Sequence, residues 1–446
     1  MLESFYSNIF IPLASAAVKI LQIANPKIRA REQTCYKLIE GLEKEKNIQA
    51  QPVEVPDILG EKWQNIPGEG KRKVRYWFHV ASMGEFEQAK PIIERLKQLN
   101  PNTYVFVTFY SPSGYENQKK YVFADEIAYM PIDSAKNAAR LINVIRPDKA
   151  IFVRYEIWLN HLLELHKRNI PIYLVNASKP RTNLLNSYYK TAYRLFEKIF
   201  VMMESEMEYF AKICGANRVA YMPDTRFDRI AERVNANRDK PLFDSRLFGG
   251  NCVLVAGSSW KPDEDILLDA VERINKSGGR KISLVLVPHE PTQENLRRLA
   301  GKCRSYVLLS ELEKNQEKYF DDVANRGKIV VVDSIGKLLR IYANADIAYV
   351  GGAFGVGIHS VTEPAGYGLP IICGKDFSNS PDAVEMEKTG ALISVCNANE
   401  LRLQLEKLTD YSDAYIQMSH KAGNYVSSRL GATDKFIKAI SNDLDL

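Results

Sequence analysis

The sequence predicts an α/β protein with two doubly wound parallel-sheet domains that face each other across an interdomain cleft, and three observations support this prediction. The chain has 446 residues, about two to three times the usual domain length of roughly 150. Short apolar runs rich in Val, Ile and aromatic residues alternate with longer helical stretches, as in a parallel sheet with crossover helices. The runs form two series on either side of a charged segment at residues 235–251. We therefore expect ligands to bind at the carboxyl ends of both sheets.

The two series predict an N-terminal domain over residues 28–237 and a C-terminal domain over residues 238–446. The runs of the first series are RYWFHVA (75–81), TYVFVTF (103–109), KAIFVRY (149–155), IPIYLVN (170–176) and KIFVMM (198–203). Those of the second series are CVLVAG (252–257), ISLVLVP (282–288), IVVVD (329–333), DIAYVGG (346–352) and PIICG (370–374).

The composition is that of a globular protein that folds in water. Apolar residues make up 46% of the chain and charged residues 26%, which excludes disordered, collagen-like and polytopic membrane proteins. The net charge of +6, from 60 Lys and Arg against 54 Asp and Glu, is too small to imply nucleic acid but suits phosphorylated ligands.

Cysteine, histidine and acidic residues predict no metal site. The six cysteines form no CxxC pair, as in a reduced cytosolic protein, and no Cys/His cluster has zinc-ligand spacing. Two DxD strings, Asp263–Asp265 and Asp443–Asp445, are of the kind that holds a divalent ion on a nucleotide-sugar. Helix capping explains the first string and solvation the second, so we expect metal-independent chemistry.

The N-terminal segment predicts membrane attachment. Residues 5–24 are largely apolar for about one membrane-span length, but they include Asn8, Pro12 and Lys19. Basic residues follow at positions 27, 29 and 31, which would keep the rest of the chain on the cytoplasmic side. We expect residues 1–27 to form a membrane-anchoring helix; the alternative is an amphipathic helix packed on the protein's own surface.

A glycine and a glutamate follow the first predicted strand, in ASMGEFEQ (81–88). Gly84 permits a tight turn, and Glu85 falls in the first turn of the next helix, where the helix dipole favours an anion. The dipole is expected to keep Glu85 ionised at neutral pH, so that it can accept a proton from a hydroxyl. The alternative is a glutamate that only caps its helix.

Two further charged residues follow predicted strands of the first half. Glu156, in RYEIWLN (154–160), could order Glu85 or hold a cation, or could merely cap its helix. Arg226, in PDTRFD (223–228), could neutralise negative charge on a leaving phosphate; a surface arginine is the alternative.

The second half contains a glycine loop typical of nucleotide binding. Its glycines, at positions 351, 352, 355 and 357, allow backbone amides to approach a phosphate, and Glu363 could accept hydrogen bonds from ribose hydroxyls. Ser258 and Ser259 form a turn that either binds phosphate or caps a helix. The order GxxGxG, after the fourth strand of its half, fits a nicotinamide fingerprint badly. His359 is interpreted as a packed polar residue.

These segments resemble the 3-deoxy-D-manno-octulosonic acid (Kdo) transferases of lipopolysaccharide assembly, which are inverting glycosyltransferases with the GT-B fold of two Rossmann-like domains. The similarity covers nearly the whole chain. The matching segments are HVASMGEFEQAKP, VTFYSPSGYE, YMPID, YEIWLN, IPIYLVNA, RFD, VAGSSWKPDEDILLDA, DSIGKLLRIYANADIAYVGG and EPAGYGLPIICG.

This resemblance implies that Kdo is transferred from CMP-Kdo to a phosphorylated lipid A precursor of the lipid IVA type, at the cytoplasmic face of the inner membrane, without a cofactor. It implies Glu85 as the general base, with Glu156 and Arg226 in support. The predicted donor-binding residues are Ser258, Ser259, His289, Glu290, Ile335, Gly336, Lys337, Ser360, Val361, Thr362, Glu363 and Asn379.

The chain departs from the family pattern at several of these positions. Arg226 stands where the family has lysine, and His289-Glu290 replaces Arg-His. Lys337 stands where Gly-Glu is common, and Ser360 replaces an asparagine. Each change alters an expected contact, and Lys337 or Arg340 could compensate for the missing arginine.

Two other functions stay open from the sequence. One is a different GT-B enzyme that uses a UDP-sugar, either a lipid glycosyltransferase or a sugar-nucleotide epimerase. The other is a membrane-bound scaffold that binds nucleotide without catalysis, which the altered donor-binding positions would permit.

Overall fold

The computed structural model describes residues 6, 11, 40, 41, 73–180, 186–325 and 327–441. They form two compact units, one drawn from Met1–Arg226 together with Gly431–Leu446, and the other from Phe227–Leu430. Within these described residues each unit has one seven-stranded sheet with parallel strand pairs. The predicted α/β class with two parallel-sheet domains is confirmed.

In the first unit the strands are β1 (Arg75–Val80), β2 (Tyr104–Phe109), β3 (Glu126–Tyr129), β4 (Lys149–Val153), β5 (Ile172–Ala177), β6 (Lys198–Val201) and β7 (Val219–Tyr221). Its connecting helices are α1 (Met83–Leu99), α2 (Pro112–Gln118), α3 (Ala135–Ile145), α4 (Leu159–Lys167), α5 (Asn186–Tyr193) and α6 (Met207–Cys214), with short 3-10 turns at Glu204–Glu206 and Ala216–Arg218.

The strand order of this sheet is β3-β2-β1-β4-β5-β6-β7. The chain builds outward from β1 to β3 and then returns to place β4 on the other side of β1. Ligands of doubly wound sheets bind where the order reverses in this way, at the carboxyl ends of the strands. The carboxyl ends of β1 and β4 are therefore the candidate site of the first unit.

Helix α7 spans Arg226–Arg238, and all of it except Arg226 belongs to the second unit. The strands of this unit are β8 (Cys252–Ser259), β9 (Ile282–Pro288), β10 (Tyr306–Leu308), β11 (Ile329–Val331), β12 (Ile347–Val350), β13 (Ile371–Gly374) and β14 (Leu392–Val395). Its further helices are α8 (Lys261–Lys276), α9 (Gln293–Lys302), α10 (Leu309–Leu312), α11 (Phe320–Ala324), α12 (Leu338–Tyr342), α13 (Thr362–Tyr367), α14 (Pro381–Thr389), α15 (Ala398–Leu408) and α16 (Asp413–Ser427), with 3-10 turns at Ser245–Phe248 and Glu317–Tyr319.

The sheet of the second unit has the order β10-β11-β9-β8-β12-β13-β14. Its order reverses between β8 and β12, which pair in parallel. The turn after β8 and the glycine loop after β12 therefore lie side by side at the carboxyl edge of this sheet.

The central strands are buried on both faces, which explains their continuous apolar runs. Successive side chains of β1 point to opposite faces of the sheet. Trp77 packs with Phe152 on one face, and Phe78 packs with Phe86 on the other. All five residues of β4 are buried.

The C-terminal helix α17 (Ala432–Ser441) lies in the first unit, whereas the sequence-based boundary at residue 238 placed it in the second domain. The Phe436 side chain is fully buried, and its ring centroid is 5.2 Å from that of Phe200. Lys149 Nζ donates to the carbonyl oxygen of Ile440 at 2.6 Å. The helix packs on the first unit because its apolar face completes the core there. A single domain boundary along the chain cannot describe a first unit that contains both ends of the chain.

Of the predicted anchoring helix at residues 1–27, only Tyr6 and Ile11 are among the described residues, and the rest lies outside them. The Tyr6 hydroxyl donates to Asp133 Oδ2 at 2.7 Å. None of the helices in the described ranges combines the length and apolar character needed to cross a membrane.

Candidate active site

The first unit places Glu85 and Glu156 at the point where its strand order reverses. Glu85 follows β1 and Glu156 follows β4, and these two strands are paired neighbours. The negative charge of Glu156 acts on Glu85 strongly enough to shift its pKa. The structure therefore brings the first two predicted catalytic residues into one site.

Glu85 is fixed by its own helix start. Ser82 is the N-cap of α1 in an extended conformation, and its hydroxyl accepts from the Glu85 amide at 3.4 Å. The Glu85 carboxylate accepts from the Ala81 amide at 2.5 Å. Gly84 lies inside the helix with room for a Cβ, whose nearest neighbour would be Ser82 Oγ at 4.0 Å. The predicted tight turn at Gly84 is therefore wrong, and the serine cap sets the geometry instead.

The Glu85 carboxyl has a pKa raised to about 7. Burial is the main cause, since the residue is only 7% exposed, and the charge of Glu156 adds to it. The Ala81 amide and the Arg154 charge act in the opposite direction. The prediction that the helix end keeps Glu85 fully ionised at neutral pH is therefore wrong, because desolvation outweighs the backbone donors. A pKa near neutrality suits a group that must accept and release protons.

A chain of buried side chains fixes Glu156. Trp77 Nε1 donates to Thr108 Oγ1 at 2.9 Å, and Thr108 Oγ1 lies 2.8 Å from His79 Nδ1. His79 Nε2 lies 3.0 Å from Glu156 Oε2, which also accepts from Trp158 Nε1 at 2.8 Å. We call the first three side chains, Trp77, Thr108 and His79, the relay.

The relay has one consistent arrangement of protons. Burial lowers the pKa of His79, which favours the neutral imidazole. Because a carboxylate only accepts, His79 Nε2 carries the proton toward Glu156. His79 Nδ1 then accepts from the Thr108 hydroxyl, whose other acceptor, the Phe78 carbonyl, is farther away at 3.4 Å. His79 is thus a positioning residue for Glu156.

Our sequence interpretation gave the relay residues no role. His79 and Thr108 are partners in the β1–β2 register, so one hydrogen bond joins adjacent strands. The available signal was a histidine and a threonine inside two otherwise apolar strand runs, since buried polar side chains need partners.

Arg226 is held by a buried carboxylate of the same unit. Its Nε donates to Asp224 Oδ2 at 2.9 Å, and its Nη2 lies 2.8 Å from the same oxygen. Asp224 also accepts from Gln88 Nε2 at 2.7 Å and from Asn176 Nδ2 at 3.2 Å. Because Gln88 lies one turn after Glu85 on α1, this network links the third predicted catalytic residue to the helix of the first.

In the second unit the two predicted serines of the turn after β8 have different environments and therefore different roles. Ser258 has φ +53, a left-handed conformation that non-glycine residues rarely adopt. Ser259 is buried, and its hydroxyl donates to Glu264 Oε1 at 3.3 Å. Ser259 therefore supports the turn, and Ser258 remains as a predicted ligand contact.

Asp263 joins this turn to the glycine loop. It accepts from the Trp260 amide at 2.9 Å, from the Gly352 amide at 2.9 Å and from the Tyr349 hydroxyl at 2.8 Å. Capping, the interpretation that the sequence favoured for the first DxD string, is confirmed. Gly351 is required by packing, because a Cβ there would lie 2.4 Å from the Ser258 carbonyl oxygen.

Three aromatic rings lie together beside the loop. The Trp260 and His359 rings are parallel to within 5°, and the His289 ring stacks against both, with its centroid 4.9 Å from that of Trp260 and 4.3 Å from that of His359. Trp260 Nε1 donates to His359 Nε2 at 3.0 Å, which leaves the proton of a neutral His359 on Nδ1. Burial and the charge of His289 lower the pKa of His359. His359 is thus part of a flat aromatic surface, a role that our sequence interpretation did not give it.

The other predicted donor-binding residues differ in solvent exposure and in their contacts within the protein. Ile335 is 79% exposed, Gly336 has φ +81, and Glu290 and Ser360 are exposed. The following predicted residues are engaged within the protein: Lys337 pairs with Glu313, Glu363 with Arg233, Thr362 with Ser360, and Asn379 with the backbone of Ile358. Val361 is buried in the apolar core.

Thr108→Val tests the relay. The substitution keeps the shape of the side chain but leaves Trp77 Nε1 and His79 Nδ1 buried without their partner. We expect the free energy of unfolding to fall by about 2 kcal/mol, measured by urea titration. The ¹⁵N shifts of the His79 imidazole should report the neutral Nε2–H form in the wild-type protein.

Thr108→Ser is the matched control, because it keeps the hydroxyl and should unfold closer to the wild-type protein. An Nδ1–H imidazole in the wild type, or a valine variant as stable as the serine variant, would show that the relay is absent.

Gly351→Ala tests the close packing of the glycine loop. The added methyl group must displace the backbone of the turn after β8, so we expect destabilisation by about 1–3 kcal/mol in urea unfolding. Gly301→Ala is the control, since its Cβ would meet nothing within 4 Å and its φ is not left-handed. Equal unfolding curves for the two variants would contradict the packing argument.

Comparisons with known proteins show which proteins this chain resembles. Residues 57–229 match the family model described as 3-deoxy-D-manno-octulosonic-acid transferase (kdotransferase). The chain is 29% identical over 335 residues to the 3-deoxy-D-manno-octulosonic acid transferase of Aquifex aeolicus, which covers 74% of this chain and 85% of that protein. The Haemophilus influenzae transferase is 24% identical, with 83% and 87% covered.

A third relative is longer than this chain. The bifunctional glycosyltransferase/methyltransferase of Fusobacterium nucleatum is 27% identical over 321 residues, which cover 69% of this chain. The alignment spans about half of that relative, 48% of its length.

Two solved structures share the fold. The UDP-GlcNAc 2-epimerase of Neisseria meningitidis bound to UDP-GlcNAc aligns with a TM-score of 0.54 at 16% identity, over 83% of this chain and 100% of that chain. Another UDP-N-acetylglucosamine 2-epimerase gives 0.53 at 14% identity, over 84% and 98%. At these identities the likeness shows the fold alone, and the predicted GT-B class is confirmed.

Proposed function

We propose, on the premise that the chain belongs to the Kdo transferase family, that it moves Kdo from CMP-Kdo to a phosphorylated lipid A precursor of the lipid IVA type. The family match and the curated relatives support Kdo transfer in lipopolysaccharide biosynthesis. The donor, the acceptor, the inverting course and the base belong to the proposal.

One observation carries it: Glu85 is a buried carboxylate with a pKa of about 7 at the reversal point of its sheet. Such a group can take the proton of an alcohol at neutral pH. In the proposed reaction the acceptor oxygen attacks the anomeric carbon of Kdo while its proton passes to Glu85. The bond from that carbon to the CMP phosphate breaks, and CMP leaves with the electron pair. Attack opposite the leaving group inverts the configuration.

Glu156 and Arg226 have supporting roles in this proposal. The relay holds Glu156, whose charge raises the pKa of Glu85 and so makes it a stronger base. Arg226, held by Asp224, provides positive charge for the negative charge that develops on the leaving phosphate.

The second unit contributes the donor-binding elements. Ser258, the glycine loop and the flat surface of Trp260, His289 and His359 lie at the carboxyl edge of its sheet. Backbone amides of such a loop can hold the phosphate, and a cytosine ring can stack on the aromatic surface. His289 replaces the guanidinium expected at that position with an imidazole.

We also propose that the protein works at the cytoplasmic face of the inner membrane. The support comes from the sequence: the apolar character of residues 5–24, the basic residues that follow and the net positive charge all suit an anionic membrane surface.

Glu85→Gln tests the proposed base. The amide keeps the shape but does not accept the proton, so we expect transfer of Kdo from CMP-Kdo to a lipid A precursor to slow by roughly 10²–10⁴-fold. For the wild-type protein, kcat/KM should rise with pH and level off above an apparent pKa of about 7, because only the ionised carboxylate is active. Product is measured by mass spectrometry.

Glu87→Gln is the control, since Glu87 lies in the same helical turn but pairs with Lys90. It should keep wild-type rates. A Glu85→Gln protein that turns over at native speed would overturn the role of Glu85, and a wild-type protein that uses UDP-sugars but not CMP-Kdo would overturn the donor.

A further inference from the structure

Arg154 occupies an unusual backbone position beside the proposed base. It directly follows β4, two residues before Glu156, and has φ +65. A non-glycine residue rarely adopts this conformation, and such residues concentrate at functional sites. Its amide donates to the Val175 carbonyl at 2.9 Å, which fixes the backbone at the carboxyl edge of the sheet.

The Arg154 side chain forms no salt bridge with an acidic side chain in the part of the chain that the structure describes. Its guanidinium lies over the Tyr155 ring, 5.2 Å from the centroid, and its Nε is buried without a hydrogen-bond acceptor. Arg226, in the same unit, is instead occupied by Asp224. A buried N–H group without an acceptor costs free energy that a bound ligand would recover.

The two carboxylates of the site would repel an anionic substrate unless a cation lies beside them. Glu85 and Glu156 lie together, and an anionic substrate would be repelled by them. The charge of Arg154 reaches Glu85, where it lowers the pKa. An arginine that is close to the base and forms no salt bridge within the described residues can offset this repulsion.

We propose that Arg154 binds an oxyanion carried by the substrate, a carboxylate or a phosphate. A guanidinium fork recognises either group through two parallel hydrogen bonds. This inference rests on the proposed function for its setting, since an acidic sugar and a phosphorylated lipid would each present such a group. Binding has a second consequence: an anion on Arg154 screens the charge that weakens Glu85, so the base becomes stronger once substrate is bound.

Arg154→Gln is the test, in the full chain. We expect the KM of one substrate to rise roughly ten- to a hundredfold, with a smaller change in kcat. A rise for CMP-Kdo places the oxyanion on the donor, and it is the sugar carboxylate if free CMP, which carries only the phosphate, inhibits the wild-type protein and Arg154→Gln equally. A rise for the lipid acceptor identifies a phosphate, and an acceptor that lacks that phosphate should then be insensitive to the substitution. Arg154→Lys keeps the charge but not the guanidinium fork, so its KM should lie between those of the wild-type protein and Arg154→Gln.

Arg75→Gln is the matched control. Arg75 also has a buried Nε without an acceptor and lies over a ring, that of Tyr104, but it begins β1 and so lies at the amino edge of the sheet. This variant should keep both KM values. Unchanged KM values in Arg154→Gln, or equal increases in the two variants, would overturn the proposal.

A binding measurement separates this inference from the proposed function. Inorganic phosphate, followed by ³¹P NMR, should bind the wild-type protein and the Arg75→Gln variant more tightly than Arg154→Gln. Equal affinities, or no binding to the wild-type protein, would overturn the role of Arg154. If the wild-type protein transfers no Kdo, the proposed function fails while the phosphate measurement still decides this inference.

Discussion

The repulsion between two neighbouring acids, Glu85 and Glu156, is the constraint on which the site depends. Burial alone makes it unfavourable to ionise Glu85, and the second carboxylate adds to that cost. The result is an acid whose pKa lies near neutrality instead of near its ordinary value of about 4.3. The arrangement arises where the sheet order reverses, because neighbouring strands end there and each delivers one glutamate.

Such an arrangement persists only if each acid is held in place. The relay from Trp77 to His79 supplies one donor, His79 Nε2, to Glu156 from inside the sheet, where side chains have little freedom. Glu85 is held by the backbone of its own helix start. In the second unit Asp263 holds the site in place, because it accepts a hydrogen bond from the glycine loop and so connects that loop to the turn after β8. Buried polar groups with satisfied hydrogen bonds thus give both units rigid sites.

The sequence predicted the ten central strands of the two sheets but not the four edge strands. β3, β7, β10 and β14 lie at the sheet edges and each has two residues that are not buried, so they lack the continuous apolar runs of strands buried on both faces. The pKa of Glu85 was mispredicted for a different reason. A helix terminus is visible in a sequence, but the burial that outweighs it is a property of the packed fold. The same holds for His79, whose partner Thr108 is 29 residues away.

The most direct measurement is the titration of the Glu85 carboxyl itself. In the full chain its side-chain ¹³C resonance, assigned by its loss in Glu85→Gln, should titrate with a midpoint of about 7. In Glu156→Gln the midpoint should fall, because one of the two causes of the shift is removed. A midpoint near 4.3 in the wild-type protein, or one that Glu156→Gln leaves unchanged, would contradict the idea that two adjacent acids create the base.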